Sequence, residues 1–266
     1  MRIEIWSDVV CPWCYIGKRR FESALGRVST GLDHRSEGPE GVLGRVSAGL
    51  DHRSEGPEGA VGRVSTGLDH RDEVEVVYRS FQLDPAAPRV PDQTVAEHLG
   101  SKYGGGADAG RQMVDRVEAV AAEEGLVFRL GEAQRANTAD AHRLLHLALE
   151  DGGPALQGAL EEELLAAYFL RAENVADHAT LRRTAAGVGL DASHVERVLA
   201  SQEYADAVER DIRDAAALGA TGVPFFVVDR KYGISGAQPV DLFVQVLERA
   251  RAEGHRGLSA CADRGF

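Results

Sequence analysis

The chain has 266 residues, of which 44% are hydrophobic, and its 42 acidic and 30 basic residues give a formal net charge of -12. This length and composition predict a globular protein with one substantial core, or with one core and a helical subdomain. Because nucleic-acid binding needs a concentrated positive face, the acidic balance argues against a nucleic-acid partner.

The amino-terminal residues predict a β-strand. Residues 2–6 alternate polar with apolar side chains and place Ile3 and Ile5 on one face. The alternation lacks the continuous apolar stretch of a secretory signal, and no run in the chain approaches the roughly 18 apolar residues of a membrane span. We therefore expect a cytoplasmic protein with no membrane partner.

The strongest chemical signal is the motif Cys11-Pro12-Trp13-Cys14, directly after this strand. A helix is predicted to begin near Pro12, because the N–H that proline lacks has no helical partner in a first turn. The helix dipole and the unpaired N–H groups of that turn stabilise a thiolate at Cys11, while Cys14 lies one turn further on. Cys11 is therefore the predicted nucleophile of disulfide exchange and Cys14 its resolving thiol.

A zinc site is the alternative for this cysteine pair. Two histidines could complete the ligand set, since His142 and His146 have the i,i+4 spacing that places both on one helix face. However, the pair opens a helix, and the chain contains no second Cys-x-x-Cys. We therefore predict no metal and no organic cofactor, because the electrons of a Cys11–Cys14 redox-active disulfide reside in the sulfurs themselves.

An 18-residue repeat follows the first helix, with Gly-Arg-Val-Ser starting at positions 26, 44 and 62. Each unit is rich in Gly, Ser and charge and offers few apolar residues for stacking. We predict a solvated, mobile loop over residues 26–71, produced by tandem duplication within one helix-to-strand connection. A folded solenoid repeat is the alternative.

The remaining elements predict an α/β fold in which a block of helices separates two halves of a sheet. In chain order they are a strand over 73–81, helices between 95 and 218 with breaks at 104–106, 125, 152–154 and 187–189, strands over 225–228 and 232–234, a helix over 240–252, and a disordered tail over 254–266.

The second chemical signal is Gly222-Val223-Pro224, just before the apolar strand at 225. Proline is tolerated at the start of a strand, where the first ladder N–H is dispensable. With a cis bond, the Val223 backbone would turn toward the cysteines and could pair with an extended peptide. An ordinary trans proline in a turn is the alternative.

Four groups of residues carry a family resemblance: residues 6–14 (WSDVVCPWC), residues 81–85 (FQLDP), Asn137-Thr138 with Ala141-His142-Arg143, and Gly222-Val223-Pro224. With these four groups in this order, the chain resembles the DsbA-like branch of the thioredoxin superfamily, and most closely its FrnE-like cytosolic members. The resemblance implies a thioredoxin-like domain over 1–91 and 205–253, a helical insertion over 92–204, and a cis bond before Pro224.

The same resemblance implies a substrate-binding set around the cysteines. It consists of Pro12, Trp13, Val223, Pro224, Asn137 and His142. As bare residues, Asn137 and His142 would be a helix cap and a surface histidine. Asp8 is a candidate proton acceptor for Cys14, with helix capping as its alternative. The implied partners are protein or peptide thiols and disulfides, with glutathione as a candidate co-substrate.

Two other functions stay open for this family. Its glutathione-dependent kappa-type transferases and 2-hydroxychromene-2-carboxylate isomerases usually carry a serine where this chain has Cys11, and they lack the second cysteine. The presence of both cysteines favours dithiol chemistry. A non-catalytic binding module is the third hypothesis. Some FrnE-like proteins have a second cysteine pair near the carboxyl end, where this chain has Cys261 alone.

Overall fold

The computed structural model describes residues 1–33 and 74–262, and within these ranges it contains one four-stranded sheet in the order β2-β1-β3-β4. The strands are β1 (Arg2–Ser7), β2 (Glu75–Ser80), β3 (Phe225–Val228) and β4 (Tyr232–Ser235). β1 pairs parallel with β2 and antiparallel with β3, and β3 pairs antiparallel with β4. The sheet is therefore mixed, with β1 at its centre.

Helices surround the sheet and also form the block between β2 and β3. In chain order they are α1 (Pro12–Asp33), α2 (Val95–Tyr103), α3 (Gly106–Glu123), α4 (Ala139–Phe169), α5 (His178–Gly187), α6 (Ala192–Leu199), α7 (Ala205–Ala217) and α8 (Val240–Ala262). The predicted α/β fold with an inserted helical block is confirmed. The exact domain limits stay a prediction.

The two faces of the sheet pack against different helices because successive strand residues point to opposite sides. Ile3 and Ile5 share one face, as predicted, and pack with Phe21 of α1 and Phe243 of α8. Trp6 lies on the opposite face, in the cluster that contains Ala215 of α7. Helices therefore cover β1 on both sides.

The helical block has its own apolar core, and this core reaches the start of α1. Leu144, Leu164 and Phe169 of α4 are fully buried in it, together with Tyr15 and Ile16 of α1. Tyr15 stacks on Phe128 and contacts Phe169 at centroid distances of 5.8 and 6.1 Å. The first turn of α1 thus lies where the sheet meets the helical block.

The first helix is longer than the sequence predicted. Residues 26–33 belong to α1, whereas the loop was expected to begin at 26. Leu25 and Val28 pack against the sheet-side core, and Arg27 forms an ion pair with Asp241 of α8 at 2.9 Å. These long-range contacts extend the helix into the first repeat unit. The rest of the predicted loop, residues 34–71, lies outside the described residues.

The last helix also continues further than expected. α8 ends at Ala262, so a helix occupies residues 254–262 in place of the predicted disordered tail. The predicted tail began at Gly254, but one glycine costs a helix only about 1 kcal/mol relative to alanine. Residues 263–266 lie outside the described residues.

A predicted break at 152–154 is a kink inside α4. Gly153 leaves helical geometry with φ 69° and ψ -167°, and Pro154 follows it inside the helix. A glycine adopts positive φ without a Cβ clash, so the chain changes direction here without ending the helix. None of the helices in the described ranges is both long and apolar enough to cross a bilayer.

Candidate active site

The two cysteines of the motif lie at the amino-terminal end of α1. Cys11 immediately precedes the first helical residue, Pro12, and its N–H donates to the Asp8 carbonyl at 2.9 Å. The Cys14 N–H donates to the Cys11 carbonyl at 3.0 Å, which closes the first turn. Both thiols are free and buried. The predicted strand, loop and helix around the motif are therefore present.

The surroundings of the buried Cys14 favour its protonated thiol. Burial is the largest effect and raises the pKa of Cys14 well above its usual range, and interaction with Cys11 raises it further. The polar groups of the Asp8 backbone and the Ser7 side chain act in the opposite direction and lower the pKa of Cys14. Cys14 therefore needs a nearby proton acceptor before it can act as a nucleophile.

The loop before β3 faces Cys11. The Val223–Pro224 peptide bond is cis, as the resemblance implied. The Cys11 thiol donates to the Val223 carbonyl oxygen, with the sulfur and the oxygen 3.5 Å apart. A Cβ added to Gly17 would lie 3.0 Å from Cγ of Pro224, so a glycine in α1 allows this close approach of helix and loop.

Apolar side chains are exposed beside the motif. Trp13, between the two cysteines, is 41% exposed, and Leu83 is 45% exposed. The Leu83 N–H donates to Oδ2 of Asp8 at 2.8 Å, which ties the loop after β2 to the loop that carries the motif. Pro12 is half-buried. Cys11 thus lies between an apolar surface and the Val223 backbone.

Asp8 and His142 form a buried pair. Nε2 of His142 lies 3.3 Å from Oδ1 of Asp8, and both side chains are about 1% exposed. Burial favours neutral imidazole, but the hydrogen bond and charge of Asp8, with the charge of Glu161, outweigh it and raise the pKa of His142. The Asp8 backbone therefore contacts Cys11, while its carboxylate contacts His142 and accepts from the Leu83 N–H.

Asn137 and His146 bind other partners. The Asn137 amide donates to the Ala87 carbonyl at 3.0 Å, and its Oδ1 accepts from the Ala139 N–H at 3.0 Å, so it stabilises the turn that leads into α4, whose N-cap is Thr138. His146 lies 3.1 Å from Asp211. In the described ranges, no group of three or more His, Cys, Asp or Glu side chains has an arrangement that could hold a metal ion.

Sequence reasoning missed a buried pair of polar side chains formed by the last residue of β1 and a residue of α4. The Ser7 hydroxyl donates to Oε1 of Glu161 at 2.6 Å, and the two residues are 3% and 0% exposed. Ser7 lies inside the motif region and could have been suspected from its position. Glu161 opens a run of three glutamates in α4, a pattern typical of a solvated helix face.

A family profile described as a DSBA-like thioredoxin domain matches residues 2–36 and 61–248. The crystal structure of a probable DsbA oxidoreductase from Streptomyces coelicolor is 41% identical, covers 95% of this chain and 91% of its own, and has a TM-score of 0.73. No curated protein sequence matches the chain.

Two more distant structures resemble the fold. The cytosolic disulfide reductase DsbM from Pseudomonas aeruginosa, solved with GSH, is 15% identical with a TM-score of 0.54 and covers 94% of this chain and 100% of its own. A 2-hydroxychromene-2-carboxylate isomerase is 12% identical with a TM-score of 0.53, and each chain is covered in full. At these identities the likeness concerns the fold alone.

Proposed function

Because the chain belongs to the DSBA-like thioredoxin domain family, we propose that it is a thiol-disulfide oxidoreductase that works through Cys11 and Cys14. The observation that carries the proposal is the position of Cys11. Its sulfur lies at the start of α1 and 3.5 Å from the Val223 carbonyl, beside a cis proline, with Cys14 in the next turn. A nucleophile, a resolving thiol and a free backbone edge for a substrate are thereby combined in one site.

The proposed reaction has two exchange steps. The Cys11 thiolate attacks one sulfur of a substrate disulfide, so that a bond from Cys11 to the substrate forms and one substrate thiolate leaves. Cys14 then attacks the Cys11 sulfur, the bond to the substrate breaks, and the second substrate thiolate leaves. Two electrons pass from the dithiol to the substrate, and the same steps in reverse oxidise a substrate dithiol. No metal or organic cofactor takes part.

The proposed substrates are protein or peptide disulfides and thiols. Trp13 and Leu83 present exposed apolar surface next to the motif, which suits an unfolded or extended segment of a partner. The Val223 N–H and C=O can pair with the backbone of such a segment as a strand would. Pro12, Pro224 and His142 are proposed to shape this site, and glutathione is a proposed co-substrate. A cytoplasmic location stays a prediction.

Insulin reduction by the purified chain, with a thiol as the final reductant, tests the proposal. We expect turnover that is lost in Cys11→Ser, while Cys14→Ser accumulates a mixed disulfide because the resolving thiol is missing. Cys261→Ser is the matched control, since it removes the third cysteine and should retain full turnover.

Two results would contradict the proposal. Turnover that survives Cys11→Ser would remove the nucleophile from the mechanism. Isomerisation of a small aromatic acid with glutathione that persists in Cys14→Ser, without insulin reduction by the unmodified chain, would favour the glutathione-dependent alternative. Absence of any thiol turnover would favour a binding module.

A further inference from the structure

The loop that presents the Val223 carbonyl to Cys11 is joined to a second segment of the chain, the turn at residues 235–238. The Gly236 N–H donates to the Pro224 carbonyl at 2.8 Å, so a hydrogen bond links the two segments directly. Both segments also lie at the same end of the antiparallel pair formed by β3 and β4. A shift of the 235–238 turn would therefore move the carbonyl that faces Cys11.

Arg20 of α1 binds this turn through its guanidinium group. Its Nη1 donates to the Ala237 carbonyl at 2.7 Å, and its Nε donates to Oε1 of Glu124, which follows α3, at 2.6 Å. Because the guanidinium is planar and its N–H directions are fixed, the two hydrogen bonds together hold the Ala237 carbonyl in place relative to α1. The side chains of Arg20 and Glu124 are only 18% and 22% exposed, which limits competition from water.

Gly17, three residues before Arg20, allows the same turn to lie against α1. A Cβ at this position would lie 3.4 Å from both Cα and Cβ of Ala237 and 3.0 Å from Cγ of Pro224. Residues three apart share one face of a helix. One face of α1 therefore contacts the turn twice, through the hydrogen bond of Arg20 and through close packing at Gly17.

Hydrogen bonds within the turn shape it but do not determine its distance from α1. The Gln238 N–H donates to the Gly236 carbonyl at 3.0 Å, and the Gln238 side-chain amide donates to the Ser235 carbonyl at 2.7 Å. Both bonds join residues of the turn to each other. The bond from Arg20 to Ala237 spans 217 positions of the chain and ties the turn to α1.

We propose that Arg20 is a positioning residue, which holds the Val223 backbone beside Cys11 in the place where an extended substrate segment pairs with it. Glu124 orients the Arg20 guanidinium for this role. The inference rests on the proposed function and adds a residue that acts through the 235–238 turn and not on the sulfurs. Binding of a peptide substrate should therefore depend on Arg20, whereas the reactivity of Cys11 toward a small disulfide should not.

Two disulfide substrates separate backbone pairing from thiol reactivity. The first consists of two short peptides joined by one disulfide, with a fluorophore on one peptide and a quencher on the other. Its reduction, with a thiol as the final reductant, gives kcat and KM. The second is a small aromatic disulfide, which has no peptide backbone to pair with Val223 and reports the reactivity of Cys11 by releasing a coloured thiolate. All chains would carry Cys261→Ser so that only the motif reacts.

For Arg20→Met we expect KM for the peptide disulfide to rise by about tenfold, with kcat and the small-disulfide rate changed by less than about twofold. Arg20→Lys should recover only part of this loss, because one ammonium group cannot replace both directions of the guanidinium fork. The Gly236 amide should exchange with deuterium faster in Arg20→Met, because the turn that contains it is no longer held to α1.

Arg27→Met is the matched control, since Arg27 lies on the same helix, carries the same charge and pairs with Asp241 of α8. It should leave KM and the Gly236 exchange rate unchanged. Glu124→Ala should raise KM less than Arg20→Met does. The double variant should be no worse than Arg20→Met alone, because the two side chains act as one unit.

An unchanged KM in a folded Arg20→Met chain would overturn the inference. So would a lower kcat on both substrates at constant KM, which a merely structural role predicts. A raised KM with unaltered Gly236 exchange would also overturn it, since Arg20 would then contact the substrate directly. If Arg20→Met does not fold, the KM of Glu124→Ala decides between the same outcomes. Failure of the parent chain to cleave the small disulfide would instead overturn the proposed function.

Discussion

Because Gly17 has no side chain, α1 can lie close to the loop that contains the cis bond before Pro224. Any residue larger than glycine at position 17 would place its Cβ 3.0 Å from Cγ of Pro224 and 3.4 Å from Ala237. The loop presents the Val223 carbonyl to Cys11, so this contact also determines the geometry of the site. Another glycine of α1, Gly26, has nothing within 4 Å of the corresponding position.

These two glycines give a matched pair of variants. Replacing an exposed helical glycine with alanine stabilises a helix by about 1 kcal/mol, and we expect this gain for Gly26→Ala. For Gly17→Ala we expect the gain to be absent or reversed, because the Pro224 loop must move to admit the Cβ. Urea unfolding of both variants measures the difference, and equal stabilisation would contradict it.

At the scale of elements, the carboxylate of Glu162 in α4 binds three side chains of α1. Glu162 forms an ion pair with Lys18 at 2.6 Å, accepts from the Tyr15 hydroxyl at 2.7 Å, and pairs with the Arg19 guanidinium. Burial alone would raise the pKa of Glu162, but the charges and hydrogen bonds of Lys18, Arg19 and Tyr15 outweigh it and lower the pKa to about 2. The first turns of α1, which follow Cys11, are thereby held against the helical block.

The lowered pKa of Glu162 predicts how the stability contributed by these contacts depends on pH. A carboxyl group whose folded pKa lies below its unfolded value of 4.5 contributes stability above pH 4.5, and the contribution is lost as the pH falls toward 2. We expect Glu162→Gln to lower the free energy of unfolding by about 2 kcal/mol at pH 7. The difference from the parent chain should shrink steadily below pH 4.5. Urea titrations across this range, with Glu163→Gln as control, measure it, and a pH-independent difference would refute the assignment.

At the scale of the whole molecule, the family match omits residues 37–60, which fall within the 18-residue repeats. β1 and β2 lie before and after this segment in the chain. They are nevertheless paired in full register, from Arg2 with Glu75 to Ser7 with Ser80. The sheet therefore depends on the two ends of the connection, and the cost of closing such a connection grows only slowly with its length.

A chain that lacks residues 37–60 should keep its fold and its thiol chemistry. We expect the free energy of unfolding to change by less than about 1 kcal/mol, and the reduced chain to cleave a small aromatic disulfide at an unchanged rate. Loss of this cleavage in a folded deletion variant would show that the repeats contribute to the site. Slower reduction of insulin, with the small disulfide unaffected, would instead indicate that they help to bind large substrates.

Local patterns were sufficient for the elements around the motif. The alternation at 2–6, the proline at the first helical position and the spacing of the cysteines each involve only a few neighbouring residues, so each predicts its own strand, helix start or turn. The cis bond before Pro224 came from family resemblance, and the geometry of that bond is as implied. The longer end of α1 was missed because it depends on contacts with distant residues. The longer end of α8 was missed because a glycine destabilises a helix only weakly.

The sequence by itself determined the strand, the dithiol motif and the helix that follows, because these depend on chemistry between adjacent residues. Only the tertiary structure decided that Ser7 meets Glu161, a residue 154 positions away. The three consecutive glutamates at 161–163 cannot be told apart in the sequence. The kink at Gly153, which precedes them in α4, also changes which face of the helix each one occupies relative to the residues before the kink. Which of them is buried against Ser7 follows from the packing of α4 against the sheet, and residue order does not encode that contact locally.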